Sequence, residues 1–143
     1  MTPLFLIDSA KSVEQTCSDL KAAVAAHGFG LLAVYDLAAT LRSKDIDFSE
    51  SCLVVEICNP QQAARVLQLD MSLSTALPCR IAVYSQAGQT RIGMIKPVEL
   101  LRTLSDSSEL VGIAQDVDVS MTALILEAAA STSVGSACEC HES

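Results

Sequence analysis

The sequence predicts an α+β domain, an antiparallel sheet with helices packed on one face. Three observations carry this expectation. Apolar residues recur at helical spacing in two segments, one near each end of the chain. Between them lie short apolar runs of strand length, bounded by Gly, Asn, Pro and Asp. Two of those runs flank the tight turn Gln86-Ala87-Gly88-Gln89, which makes them antiparallel and argues against a doubly wound parallel sheet.

Taken in order, Leu4-Phe5-Leu6-Ile7 reads as a first strand or a packed N-terminal arm. Ser12-Val13-Glu14-Gln15 has the form of a capping box, Ser to Gln at a three-residue step. Val13, Cys17, Leu20 and Val24 then share one helical face, and Gly28 suits a left-handed C-terminal cap. This predicts a helix over 12–27 with Cys17 on its buried stripe. Phe29 to Tyr35 has the length and flanks of a strand, and Leu37 to Leu41 those of a short helix closed by Arg42-Ser43-Lys44-Asp45. Ser51 to Cys58 is the clearest strand. Leu53, Val55 and Ile57 point one way, while Cys52, Val54, Glu56 and Cys58 point the other, and the carboxylate marks that second face as lying away from the main core.

Asn59-Pro60 starts a helix over 60–68, with Asn as N-cap, Pro at the first helical position and Ala63, Val66 and Leu67 as its apolar stripe. A loop from Asp70 to Pro78 leads into a strand from Cys79 to Ser85, and the hairpin returns along Thr90 to Ile95. Pro97 opens a short helix. Leu110, Ile113, Val117, Met121, Leu124 and Ala128 mark a long amphipathic helix over 107–130. The expected organisation is a single domain over 1–130 and a small, polar, mobile tail over 131–143 that carries Cys and His.

Composition excludes several functions. The chain has 143 residues, half of them hydrophobic and only 18% charged, so it is long enough for one core and too apolar to be disordered. Aromatics make up 3% with no Trp, which leaves few platforms for stacking bases. A net charge of −8 opposes gripping phosphates by charge, so no nucleic-acid partner is expected. The apolar stretch Leu4 to Ile7 ends at Asp8 without a basic flank, unlike a secretory signal. No apolar run approaches the ~20 residues that cross a bilayer. The expectation is a soluble cytoplasmic protein with no membrane partner and six reduced cysteines.

Candidate chemistry centres on cysteine. Cys58-Asn59-Pro60 places a thiol at a strand end just before a helix N-terminus, where unpaired amides and the helix dipole favour a thiolate. Such a thiolate attacks, carries a persulfide or binds a soft metal; the plainer reading is a half-buried small residue. Cys79 in Leu77-Pro78-Cys79-Arg80 sits where a loop enters a strand. Arg80 next door could stabilise an anion, although strand neighbours point to opposite faces, and a simple packed cysteine is the alternative. The tail offers Cys138-Glu139-Cys140-His141, three ligands in four residues for copper or zinc, at a tighter spacing than a zinc knuckle; a solvated tail that merely carries thiols is the alternative. His27 suits a helix C-terminus, and Gly28-Phe29-Gly30 lacks the third glycine and following helix of a dinucleotide fingerprint.

Three segments taken together carry a resemblance. Gly28-Phe29-Gly30 with its strand ending at Asp36, Glu56-Ile57-Cys58-Asn59-Pro60-Gln61-Gln62-Ala63, and Leu77-Pro78-Cys79-Arg80-Ile81-Ala82-Val83-Tyr84 resemble, in order and spacing, the bacterial and archaeal domain-of-unknown-function family 302. The resemblance spans about residues 10–130. It implies a small TATA-binding-protein-like β-α-β4-α arrangement, assembled as a homodimer, with the family's Cys-Asn-Pro and Leu-Pro-Cys positions falling on Cys58 and Cys79 and thereby drawing both into one site. The tail cysteines depart from the family pattern. No reaction comes with the resemblance.

Two functional expectations follow from different classes. The first is a non-enzymatic or weakly catalytic dimer whose site is Cys58, Asn59, Cys79 and Arg80, serving sulfur handling, redox sensing or soft-metal binding. The second is a binding module in which the sheet face and the 70–78 loop form an apolar pocket for a small molecule or a protein, with the cysteines as lining. A hydrolase or transferase lacks a nucleophile–base pair close in sequence.

Overall fold

The computed structural model describes residues 2–130. The expected tail site, Cys138, Cys140 and His141, lies outside the described residues. The chain runs β1 (Leu4–Ser9), α1 (Val13–Ala26), β2 (Gly30–Asp36), α2 (Leu37–Ser43), β3 (Cys52–Cys58), α3 (Pro60–Leu69), a 3₁₀ segment (Met71–Ala76), β4 (Cys79–Gln86), β5 (Gln89–Ile95), α4 (Pro97–Arg102) and α5 (Ser108–Ala129). The sheet has the order β1-β5-β4-β3-β2 with every neighbour antiparallel. It is an α+β fold in which β1, α1, the four strands β2–β5 and α5 follow the β-α-β4-α order, with α2, α3 and α4 inserted.

Local chemistry explains the boundaries. The Ser12 hydroxyl caps α1 by accepting from the Gln15 N–H at 3.0 Å. The reciprocal half of the expected capping box is absent, because the Gln15 side chain donates to Asp19 instead, one turn further on. Gly28 ends this region at φ +82°, where a side chain would be strained. The segment expected as a loop after Asp70 is a 3₁₀ turn. The Asp70 carboxylate accepts from the N–H and hydroxyl of Ser72, and Leu73 anchors the turn by full burial. That burial is tertiary, so local sequence gave no sign of it.

Helices α1 and α5 pack together over the sheet, with α3 and α4 flanking α5. The core between them joins Val55, Ile57, Ile81, Val83 and Ile92 from the strands to Leu20 and Val24 of α1 and to Ile113, Met121 and Leu124 of α5. Each such large aliphatic side chain contributes about 1.5–3 kcal/mol on burial. Among the described residues one buried hydroxyl pair lies this deep, Ser9 and Thr16, and it is satisfied internally at 2.8 Å. The other sheet face carries Glu56 paired to Arg80 at 3.3 Å and Asp8 paired to Arg91 at 3.0 Å. Edge strand β2 is largely exposed. A register shift between Leu31 and Ala33 leaves Leu32 as the extra residue of a bulge, and Leu31, Leu32, Val34 and Tyr35 are all exposed.

Candidate functional site

Strand β3 gives way to α3 within the three residues Cys58-Asn59-Pro60. The Asn59 carboxamide oxygen accepts from the Gln62 N–H at 3.1 Å, and Pro60 needs no partner for a donor it does not have. Cys58 is thereby fixed as the last residue of the strand, with Gln62, Ala63 and Val66 following on the first turns of α3. Across the ladder, a cis Leu77–Pro78 peptide leads into Cys79, which pairs with Ile57. A single pairing register therefore brings the two expected cysteines to one place.

That place is a cavity of about 210 Å³. Ile57, Cys58 and Cys79 line it from the sheet, and Gln62, Ala63 and Val66 from α3. Ile113, Ala114 and Val117 of α5 close the far side, and Pro97 and Leu101 of α4 the end. The α5 and α4 walls are buried, whereas Cys58, Asn59, Gln62, Ala63 and Pro78 are half-buried, which puts the accessible side at the start of α3. The cavity lies on the helical side of the sheet, and beyond the sheet and the 70–78 loop it draws most of its lining from α3, α4 and α5. From that loop segment only Leu77 and Pro78 reach its lining. The reason is that the sheet's other face is occupied by charged pairs, while the helices leave space between α3 and α5.

The site has little charge. Burial, and secondarily the neighbouring Cys58, push the Cys79 thiol from its ordinary 9.0 up to about 11, so Cys79 is a neutral thiol at pH 7. Cys58 and Cys79 are both free and within electrostatic reach of each other. Arg80 does not join them at the cavity. It binds Glu56 on the exposed side and lines an adjoining hollow of about 110 Å³ that shares Cys79 with the cavity. Among the described residues there is no group of three or more His, Cys, Asp or Glu side chains placed to hold a metal ion. His27 makes a structural tie instead, its Nε2 lying 2.9 Å from Glu127 of α5.

Sequence reading missed Gln62. Asn59 and Gln62 have capping-box spacing, in which the Gln side chain would turn back to the N-cap amide. Here its Oε1 is buried without a hydrogen-bond partner, and the residue lines the cavity. The small residues Ala63 and Ala114, which leave room for the cavity, were legible only as parts of helical stripes.

Comparison with known proteins places this arrangement. Residues 5–128 match the family described as "Domain of unknown function DUF302". The chain belongs to the DUF302 family. The crystal structure of an uncharacterized conserved DUF302 protein from Bacillus stearothermophilus superposes with a TM-score of 0.84 at 31% sequence identity, covering 90% of this chain and 99% of that one. Among curated proteins, none matches. The DUF302 match thus spans every element that builds the cavity, from the sheet through α5. No helix among the described residues is long and apolar enough to cross a membrane.

Proposed function

We propose that this DUF302 domain is a binding module for a small apolar molecule, held between α3, α5 and the end of the β3–β4 ladder. The cavity itself carries the reading. An engineered cavity of about 150 Å³ lined by aliphatic side chains binds benzene, and the space here is larger and similarly lined. Titration with toluene, followed by amide shifts in nuclear magnetic resonance, tests it. Signals of Ala63, Ala114 and Val117 are expected to move, and Ala114→Leu, which fills the space from a buried position, is expected to weaken binding at least about tenfold, or 1.4 kcal/mol. Monocyclic hydrocarbons that leave those signals unmoved up to their solubility limit defeat the reading.

A thiol-centred role in sulfur handling, redox sensing or soft-metal binding is the second reading. Its support is that Cys58 and Cys79 share one wall and that Cys58 adds to the upward push on the Cys79 thiol. A copper or zinc ion there needs a third donor from beyond the described residues or from a second copy. Native mass spectrometry of anaerobically purified protein separates the readings. Extra mass lost in the Cys58→Ser, Cys79→Ser double variant favours the thiols; unchanged toluene binding in that variant favours the module.

We also propose that two copies associate through the edge strand β2, along which Leu31, Leu32, Val34 and Tyr35 are exposed. Light scattering on Leu32→Glu is expected to report a monomer where the parent chain gives a dimer.

A further inference from the structure

We infer that the module's ligand is a straight-chain aliphatic molecule with one polar end, its chain running from the cavity into the adjoining hollow and its polar end in water at the hollow's rim. This rests on the apolar-module reading above and specifies its ligand. Three observations converge on it. The first is that the cavity and the hollow, about 210 and 110 Å³, back onto one another. Leu77, Pro78, Cys79, Pro97 and Leu101 line both, so the partition is one residue thick. Rotamer changes of Leu77 and Leu101 would join the two spaces into an elongated one. The cavity alone is on the scale that holds a single ring, whereas the pair suits a longer, thinner guest.

The second is that the hollow has a cause in the sheet. Strand β4 pairs with β5 from Gln86 as far as Ala82, opposite Gly93, yet β4 begins at Cys79 and β5 continues to Ile95. Beyond Ala82 each strand keeps its outer neighbour, Cys79 with Ile57 of β3 and Ile95 with Leu4 of β1, and the two part. Cys79, Arg80 and Ile95 from the parted ends line the hollow, with Leu100, Leu101 and Met121 of the helices completing it. The third is polarity. Among the described residues the cavity presents no polar surface to a guest, whereas Arg80 and Ile95 at the hollow are exposed to water. A polar group drawn into the cavity would lose its hydration with nothing to replace it, so it stays at that rim.

The test titrates the intact chain with 1-hexanol, 1-octanol and 1-decanol, read by calorimetry and by amide shifts. Each added CH₂ is expected to tighten binding about fourfold. The longer alcohols are expected to move Leu100 and Met121, which line the hollow, as well as Ala63 and Ala114, which line the cavity. Ala76→Leu narrows the hollow and not the cavity, so it should remove the gain beyond hexanol while toluene binding persists. The parent-chain series stands alone if the variant does not fold. Affinity that levels off at hexanol, with Leu100 and Met121 unmoved, overturns the inference and leaves the apolar module intact. 1,8-Octanediol, which must bury a hydroxyl, is expected to bind at least about tenfold more weakly than 1-octanol; equal binding overturns the single polar end. An octyl chain with a nitroxide on its polar end should broaden the amide of Ile95 more than that of Asn59, and the reverse overturns the placing of that end. If neither the alcohols nor toluene binds, the module reading falls, and this inference with it.

Discussion

The two ends of the β3–β4 ladder are built on opposite terms. At one end the Ser51 N–H donates to Ser85 Oγ at 2.9 Å, the Ser85 hydroxyl donates to Glu50 at 2.6 Å, and the Ala87 N–H donates to the same carboxylate at 3.0 Å. These bonds tie the hairpin turn to the chain before β3. At the other end Ile57 pairs with Cys79, the strand stops at Cys58, and the neighbouring helices leave an apolar space with an unpaired Gln62 oxygen. One end is closed by hydrogen bonds in water; the other is left incomplete in the interior. An incomplete interior costs stability, and a ligand that fills it would restore what is missing.

The largest expected effect comes from enlarging the open end. Ile57 is fully buried, and Ile57→Ala is expected to cost about 2–5 kcal/mol in urea denaturation. Leu53, half-buried toward the closed end of the same strand, is expected to lose less on truncation to Ala. The comparison sharpens when toluene is added. It should raise the midpoint of Ile57→Ala and leave that of Leu53→Ala shifted no more than the parent's. Equal rescue of both variants would mean that the cavity end is not special.

A second difference is visible in alkali. The folded Cys79 thiol titrates near 11 against an ordinary 9.0. Between those values the unfolded chain loses its proton first, so stability falls as pH rises from 9 toward 11, by up to about 1.4 kcal/mol per pH unit. Cys79→Ala should flatten that limb relative to the parent chain. Iodoacetamide at neutral pH should also label Cys79 more slowly than a free cysteine. Fast labelling, or an unchanged alkaline limb, would show that the thiol is not held as described.

Much of this contrast was legible in local sequence, and the reasons for the rest are specific. Ser12 and Asn59-Pro60 announced helix starts because caps are made by residues within one turn. The alternation along Ser51–Cys58 correctly separated Val55 and Ile57 from Glu56, because strand facing depends only on period two. The residues left open whether Cys58 and Cys79 face one another and the family resemblance drew them into one site, since their meeting depends on the pairing of Ile57 with Cys79, which no local signal specifies. The Leu32 bulge, the 3₁₀ turn anchored by Leu73 and the placing of the cavity on the helical side all depend on packing between distant segments. Arg80 shows the converse. Its adjacency to Cys79 suggested a partnership, whereas strand alternation sends it to Glu56.

The smallest effect belongs to the closed end and concerns acid. Hydrogen bonds from Ser85 first, and from the Ala87 amide second, hold the Glu50 carboxyl below its ordinary 4.5. A group whose folded pKa is depressed contributes stability above its unfolded pKa and loses it as pH falls through the folded value. Acid titration of the parent chain should therefore show a loss beginning as pH drops past the ordinary glutamate range. Glu50→Gln should be flatter over that window, because an amide keeps an acceptor for Ser85 but has no proton to gain. The carboxylate is half-buried and still screened by solvent, so the difference should be small and should shrink further in high salt. A Glu50→Gln chain whose acid limb overlays the parent's would remove electrostatics from the closed end and leave its hydrogen-bond geometry as the whole of the contrast with the cavity.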